Sequence, residues 1–259
     1  MERIKYESCP VCKSKEFEEL RKGYVQEHPN WVKGTEAFIQ WMECGSCGHV
    51  FTDGYLSEEA RAKMTKKVHL AQRPGWNPEV ARVSLGTTTT AVQLLDRSVG
   101  KRWLDVGCGD GTLMGFVAEC GYKPYGIDIR PDAVQMLKAA GLDVDLLDFA
   151  DLPEGRPFDV VSMRDVIEHM PFPVAAIEKA ARLTMPGGLL VISTPSRESL
   201  AWKLPRANGE SPYWCELEHY HIFSADCLRK ILQDAGFEQV LAHPSAHYRV
   251  SLEIIARRQ

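Results

Sequence analysis

Residues 103–111 read Trp103-Leu-Asp-Val-Gly-Cys-Gly-Asp-Gly111, and the rest of the chain is read outward from them. Trp103 to Val106 is an apolar run interrupted by one carboxylate, Asp105, as expected of a buried strand. Glycines follow at 107, 109 and 111, and Leu113-Met-Gly-Phe-Val-Ala118 then has a helix-compatible apolar pattern. The order is strand, glycine turn, helix. Glycines lack Cβ, so the backbone can turn sharply and a ligand can lie against it. A dinucleotide turn wants Gly-x-Gly-x-x-Gly with pyrophosphate on the helix N-terminus. Here the third glycine comes one residue early, and Thr112 stands where the last one belongs.

Asp105 precedes the first glycine by two residues. Its charge repels pyrophosphate and suits a cationic amino group. About twenty residues on, Tyr125-Gly-Ile-Asp-Ile129 ends a second strand in an acid that can chelate a ribose diol. A ligand with an amino group at one end and a ribose in its middle is S-adenosylmethionine.

The alternation continues. Strands are expected at 102–106, 124–129, 143–147, 158–163 and 188–194, and helices at 112–120, 131–140 and 171–184, which Pro186-Gly-Gly188 should stop. Such alternation gives a parallel sheet with helices on both faces. Ser224 caps a helix running to Ala235, and 237–242 with 248–256 form a closing strand pair. A helix over about 78–97 leads into this core. Its Thr87-Thr-Thr-Thr90 run is a poor helix interior and a candidate break.

Composition bounds the rest. The chain has 259 residues, 44% hydrophobic and 25% charged, an ordinary globular balance. No apolar run reaches the ~18 residues of a membrane span, and the N-terminus lacks the apolar stretch of a signal peptide. A cytoplasmic location is expected, where thiols stay reduced, so the eight cysteines need another reason than disulfides. Residues 1–60 carry 7 Lys/Arg against 11 Asp/Glu, whereas residues 61–101 carry 8 against 2.

Cys9-Pro-Val-Cys12 and Cys44-Gly-Ser-Cys47 are paired Cys-x2-Cys knuckles, which read as a tetrahedral zinc site, a disulfide or redox pair being the alternative. Four thiolates leave no open position, so the ion is structural. Phe38-Ile-Gln-Trp-Met42 and His49-Val-Phe-Thr52 read as strands of a hairpin. The expected division is a zinc ribbon at 1–54, a partly helical linker at 55–80 with a loop at 73–78, and the α/β core at 81–259.

The sequence resembles a known family. Leu104-Asp-Val-Gly-Cys-Gly-Asp-Gly111 resembles the first motif of class I S-adenosylmethionine-dependent methyltransferases, and Gly126-Ile-Asp-Ile129 the second. Asp148-Phe-Ala-Asp-Leu-Pro153 resembles the third, and Phe158-Asp-Val-Val-Ser-Met-Arg-Asp-Val-Ile-Glu-His169 the fourth. The resemblance implies a doubly wound, mostly parallel seven-stranded sheet with its last strand inserted antiparallel. It implies a cofactor site from Asp105, Gly107, Gly109, Asp128, Ile129, Asp148, Phe149 and Arg164. The ribbon is similar to those preceding bacterial methyltransferases that act on sugars and natural products.

An acceptor hydroxyl or carbon acid needs a proton acceptor near the carboxyl ends of the strands. His169 follows the fourth strand and is expected mainly as a site wall or structural group. His219 and His221, in Glu218-His-Tyr-His-Ile-Phe-Ser224, lie on one face if the segment is extended. His219 is the first candidate for base or acceptor positioning. His28, His49, His69, His243 and His247 are read as surface or packing residues. The expectation is methyl transfer to a small-molecule acceptor: a sugar, including nucleotide-linked ones, or a natural-product intermediate. The rivals are an RNA methyltransferase, disfavoured by the acidic ribbon because phosphate contacts dominate RNA affinity, and a non-enzymatic binding scaffold. No membrane partner is expected, and nothing in the sequence specifies an oligomeric state.

Overall fold

The computed structural model describes residues 3–29, 31, 33, 36–61, 77–95, 101–155, 157–203, 212–245 and 251–259. Residues 62–76 and 96–100 of the basic stretch, with His69 and most of the loop at 73–78, lie outside them, as do residues 204–211 and His247.

The N-terminal region contains β1 (Arg3–Lys5), β2 (Phe17–Tyr24), β3 (Phe38–Cys44), β4 (Val50–Thr52) and β5 (Gly54–Leu56). β1 pairs with β5, and β2, β3 and β4 form an antiparallel meander. The hairpin between the knuckles exists, but its first strand was hidden in the sequence. β2 reads Phe-Glu-Glu-Leu-Arg-Lys-Gly-Tyr, and only Gly23 is fully buried. A Cβ at Gly23 would lie 1.7 Å from the Trp214 carbonyl oxygen, so glycine lets the ribbon touch the core closely.

The core opens with α1 (Pro78–Leu94). Asn77 caps it, its Oδ1 accepting from Glu79 N at 2.9 Å and Val80 N at 3.4 Å. The threonine run does not break the helix. Thr90 Oγ1 donates to Gly86 O and Thr87 Oγ1 donates to Glu253 Oε2, both at 2.9 Å. Packing against the sheet therefore overrides a poor local propensity.

The remaining elements are β6 (Arg102–Val106), α2 (Thr112–Glu119), β7 (Lys123–Asp128), α3 (Pro131–Ala139), β8 (Val144–Leu146), β9 (Phe158–Arg164), α4 (Pro173–Leu183), β10 (Thr184–Pro195), α5 (Leu200–Lys203), β11 (His221–Ile222), α6 (Ala225–Asp234), β12 (Phe237–Pro244) and β13 (Ser251–Arg258). Seven of these strands form one sheet in the order β8-β7-β6-β9-β10-β13-β12. β8 through β10 are parallel, and β13 enters antiparallel between β10 and β12. The side-chain alternation of each strand builds two cores. Leu190 and Ile192 face α4 and α6, while Leu189 and Val191 face α1 and α2. This is the doubly wound sheet expected. One boundary differs: the glycine pair does not stop α4. β10 already begins at Thr184, and Pro186-Gly-Gly188 forms a register irregularity inside it. A Cβ at Gly188 would come 2.7 Å from Asp159 O.

β11 departs from expectation more deeply. It is extended over His221–Ile222, but it belongs to the ribbon. It pairs antiparallel with β4, His221 opposite Phe51, and completes a four-stranded sheet ordered β11-β4-β3-β2.

Candidate active site

The carboxyl ends of β6 and β7 build a first half-site. Parallel pairing sets Asp105 beside Ser162 on one neighbour and Gly126 on the other. Ser162 Oγ donates to Asp105 Oδ1 at 2.7 Å. Asp105 is 4% exposed, and burial pushes its carboxyl up to about 6, against the Ser162 hydrogen bond and the Arg164 charge. The turn beyond it holds Gly107 at φ 67° and Gly109 at φ 60°. A Cβ at Gly107 would also lie 2.7 Å from Val166 Cγ2. A charged, partly desolvated carboxylate beside an open glycine turn fits the amino acid end of S-adenosylmethionine.

Asp128 lies across that turn. Its Oδ2 accepts from Gly109 N at 3.0 Å and Arg130 Nη2 at 2.7 Å, and its Oδ1 accepts from Arg130 Nε at 2.8 Å and Arg130 N at 3.0 Å. A carboxylate has about four lone-pair sites. A ribose diol at Asp128 must therefore take places that the Arg130 guanidinium holds. Arg130 was not among the sequence candidates, although an arginine two residues beyond a strand-end acid is within reach of it. Ser162 was missed too, being visible only through strand register.

The other expected cofactor residues divide. Ile129 is 37% exposed beyond β7. Asp148 caps the 149–151 turn through Ala150 N at 2.9 Å and pairs with Arg61. Arg164 Nη1 donates to Ser84 Oγ of α1 at 2.9 Å, which holds the guanidinium near Asp105. Phe149 is the inward one. Its side chain lies in the apolar core, leaving only its backbone for a ligand.

A second half-site follows β9. Asp165 adopts φ 53°, uncommon for a residue with a Cβ, while its N–H donates to Ser193 O at 2.7 Å. The chain then turns through 167–169. Glu168 is fully buried, with Thr194 Oγ1 donating to its Oε2 at 2.9 Å and no hydrogen-bond partner for Oε1 among the described residues. Burial, then the Asp165 charge, hold its carboxyl well above the usual range. His169 Nδ1 lies 3.0 Å from Glu218 O. A carbonyl only accepts, so Nδ1 carries a proton, and a lone pair, where the ring has one, is on Nε2. His219 packs edge-on at 4.7 Å, its pKa held well below the ordinary value by burial and then by His169. Glu168, His169 and His219 each offer a ligand atom within 4.8 Å of the others, a donor set that could hold a divalent cation.

His221, expected beside His219 in catalysis, is elsewhere. It is fully buried between ribbon and core, with Nε2 2.9 Å from Met170 O and Nδ1 3.2 Å from His49 Nε2. Both ring nitrogens are occupied by protein groups, so it has no free atom for an acceptor. The strand covers only His221 and Ile222 and pairs with β4, so His221 meets His49 while His219, before it, packs on His169.

In the ribbon, Cys9, Cys12, Cys44 and Cys47 cluster with all four sulfurs within 4.8 Å. The Cys9–Cys47 and Cys12–Cys44 sulfurs are 3.7 and 3.5 Å apart. A tetrahedron of ~2.3 Å zinc–sulfur bonds has edges of about 3.8 Å, so the set fits such an ion. Burial and the neighbouring sulfurs push the Cys9 thiol up to about 12, as expected of clustered thiols that only a cation would let ionise together.

Comparison with known proteins fits this geometry. A family model described as a methyltransferase domain matches residues 79–242. Ubiquinone biosynthesis O-methyltransferase of Thiobacillus denitrificans is 30% identical over 171 residues, covering 60% of this chain and 72% of the relative. The protein of the same name from Xanthomonas oryzae pv. oryzae is 34% identical over 119 residues, covering 43% and 50%. The chain thus spans about half the length of several curated relatives it matches. Magnesium protoporphyrin IX methyltransferase from Synechocystis PCC 6803, solved with bound SAH, superposes with TM-score 0.57 at 22% identity, over 80% of this chain and 90% of that one. That likeness establishes the fold. The match over 79–242 extends to descent, and the chain belongs to the methyltransferase-domain family, with the class I S-adenosylmethionine-dependent architecture.

Proposed function

We propose that this protein transfers the methyl group of S-adenosylmethionine to an oxygen of a small-molecule acceptor. The observation that carries the reading is the pair of buried carboxylates, Asp105 and Asp128, on either side of the left-handed glycine turn. They suit the cofactor's ammonium and ribose. The oxygen acceptor is supported by the relatives named O-methyltransferases. Sugars and natural-product intermediates, the classes expected from the ribbon, both present such hydroxyls.

S-adenosylmethionine supplies a methyl group already activated on a sulfonium, so the protein's work is alignment and proton removal. Asp105 would hold the amino group while Gly107 and Gly109 leave room for the chain between. His169 and His219 would receive the acceptor one strand away, on the β9 side. His169 has its ring fixed by Glu218 O and its free nitrogen on Nε2, so it takes the proton in this reading. His219, kept neutral, positions the acceptor. This reverses the ranking expected from sequence. His221 is assigned a structural role, and the four cysteines a structural Zn2+. Among the described residues no helix is long and apolar enough to cross a membrane; a cytoplasmic setting, where thiols stay reduced, would suit the eight unpaired cysteines.

The test is formation of S-adenosylhomocysteine from S-adenosylmethionine with panels of phenols, sugars, nucleotide sugars and an RNA stem-loop. Turnover with a hydroxylic small molecule is expected. Turnover with RNA alone would replace this reading with the nucleic-acid one, and failure to bind S-adenosylhomocysteine by calorimetry would remove it.

A further inference from the structure

The segment carrying Glu218 and His219 is held from both sides. On the core side, Tyr220 N donates to Glu168 O at 2.8 Å, and His169 Nδ1 donates to Glu218 O at 3.0 Å. On the ribbon side, Thr52 N donates to Tyr220 O at 2.9 Å, and β11 pairs with β4. Tyr6 Oη adds a bond to Pro171 O at 2.8 Å, so the ribbon also grips the turn after His169.

Between these backbone ties runs a chain of side chains whose protons can be placed by elimination. Met170 O only accepts, so His221 Nε2, 2.9 Å away, carries hydrogen. In the neutral ring Nδ1 is then an acceptor, and His49 Nε2, at 3.2 Å, must be its donor. His49 Nδ1 is left as an acceptor facing the Cys227 sulfur at 3.7 Å. One tautomer of each ring satisfies the whole chain: Cys227 to His49 to His221 to Met170. His49 is itself fixed by the second metal knuckle, since Cys44 N donates to His49 O at 3.0 Å and Gly48 N donates to Cys44 O at 2.8 Å. Its ring stacks on Phe51 at 6.0 Å with the planes 6° apart.

We propose that the ribbon is a positioning element of the acceptor site, acting through His49 and His221 on the 168–171 turn and on His219. The proposal rests on the assignment of His169 and His219 to acceptor binding. It gives the metal knuckles a task beyond folding their own domain: they hold the histidine pair at its working geometry from the far side of β11. His49 and His221 touch no reacting atom in this scheme and are positioning residues.

The tautomer of His169 reports on the chain. In water the Nε2–H form of imidazole predominates, whereas the bond to Glu218 O demands Nδ1–H. Nitrogen-15 imidazole spectra of the zinc-loaded full chain are expected to show His169 as Nδ1–H. His49→Phe keeps the ring stack and removes the donor to His221, so the Nδ1–H signature of His169 should be lost. His49→Gln, whose amide can still donate to His221 Nδ1, should restore it. Both variants should keep their zinc and their S-adenosylhomocysteine affinity. Removing zinc from the wild type with a chelator needs no substitution and should also abolish the signature. An unchanged His169 tautomer in the folded, zinc-loaded Phe variant or in the zinc-free wild type would overturn the proposal. So would joint loss of S-adenosylhomocysteine binding in the Phe variant, since the change would then be global. Failure of the untouched wild type to bind S-adenosylhomocysteine would fall on the methyltransferase reading instead.

Discussion

Between Asp105 and Arg130 the chain builds most of the proposed cofactor half-site from one strand–turn–helix–strand unit. Glu168, His169 and His219, by contrast, are held by segments around 50, 170 and 220. The first half is locally encoded, and a few consecutive residues set its geometry. The second is assembled across the chain, and its geometry depends on ribbon and core meeting correctly. The two halves should therefore fail differently: changes in the first should show as lost cofactor affinity, changes in the second as lost turnover with the cofactor still bound.

The largest effect should come from the ribbon. Structural zinc contributes roughly 10–16 kcal/mol in small zinc-dependent domains. Cys44→Ser should lose the single equivalent of metal that we expect the wild type to carry and loosen residues 38–56, seen as faster amide exchange there. S-adenosylhomocysteine binding should survive, because the glycine turn lies in the other region. A metal-free wild type with the four thiols freely titratable would break the comparison at its root.

Next comes the histidine pair. His169→Ala should lower single-turnover rates by roughly 10²–10⁴-fold, with His219→Ala costing less and acting mainly on acceptor KM. The opposite order would return the base to His219. Both variants should bind S-adenosylhomocysteine normally; weakened binding would show that the halves are not separable.

Asp128→Ala tests the local half. Hydrogen bonds to a charged group are worth about 1.5–3 kcal/mol each, so calorimetry should show S-adenosylhomocysteine binding weakened at least about tenfold. The same change frees Arg130 from its carboxylate. Unchanged affinity in a folded variant would put the ribose elsewhere.

The smallest effect is a pH dependence. With Asp105 pushed up to about 6, the carboxylate that suits an ammonium is formed above that pH. Affinity for S-adenosylhomocysteine should fall about tenfold between pH 7 and 5, as the ionised fraction does, and Asp105→Asn should flatten the profile. Stability of the ligand-free protein runs the other way. A carboxyl raised from about 4 to about 6 favours the folded state fully below pH ~4, and that contribution of about 3 kcal/mol is lost as pH rises through ~6. Chemical denaturation at pH 5 and 8 separates the two signs.

The sequence was readable where structure is local. The strand–glycine–helix unit, the acid ending β7 and the antiparallel closing strand all follow from patterns a few residues long or from family resemblance. What escaped depends on distant partners. β2 has four charged residues among its eight, its apolar residues Phe17, Leu20 and Tyr24 fall out of period two, and only Gly23 is buried, so hydrophobic alternation could not reveal it. Arg130 and Ser162 acquire their roles only through a side-chain reach and a strand register. Phe149 lies inside a motif yet turns into the core, and the threonine run of α1 stays helical because Glu253, far away in sequence, receives Thr87. His221 is the sharpest case. The i, i+2 spacing would put it on the face of His219 in an extended segment, but the strand covers only 221–222 and β4 draws His221 into the ribbon.

That pairing of β4 with β11 also orders events at the ribosome. Phe51 and His221 are about 170 residues apart, and at ~5–20 residues per second their meeting must wait roughly 10–30 s after β4 has emerged. During that interval β4 is an open sheet edge, its backbone groups available to any passing strand. A chain cut short before residue 221 keeps all four cysteines and the glycine turn but never closes that edge. Truncated or stalled products are therefore expected to aggregate through the ribbon, and early zinc capture protects them only in part, because the metal closes the knuckles and not the strand beside them.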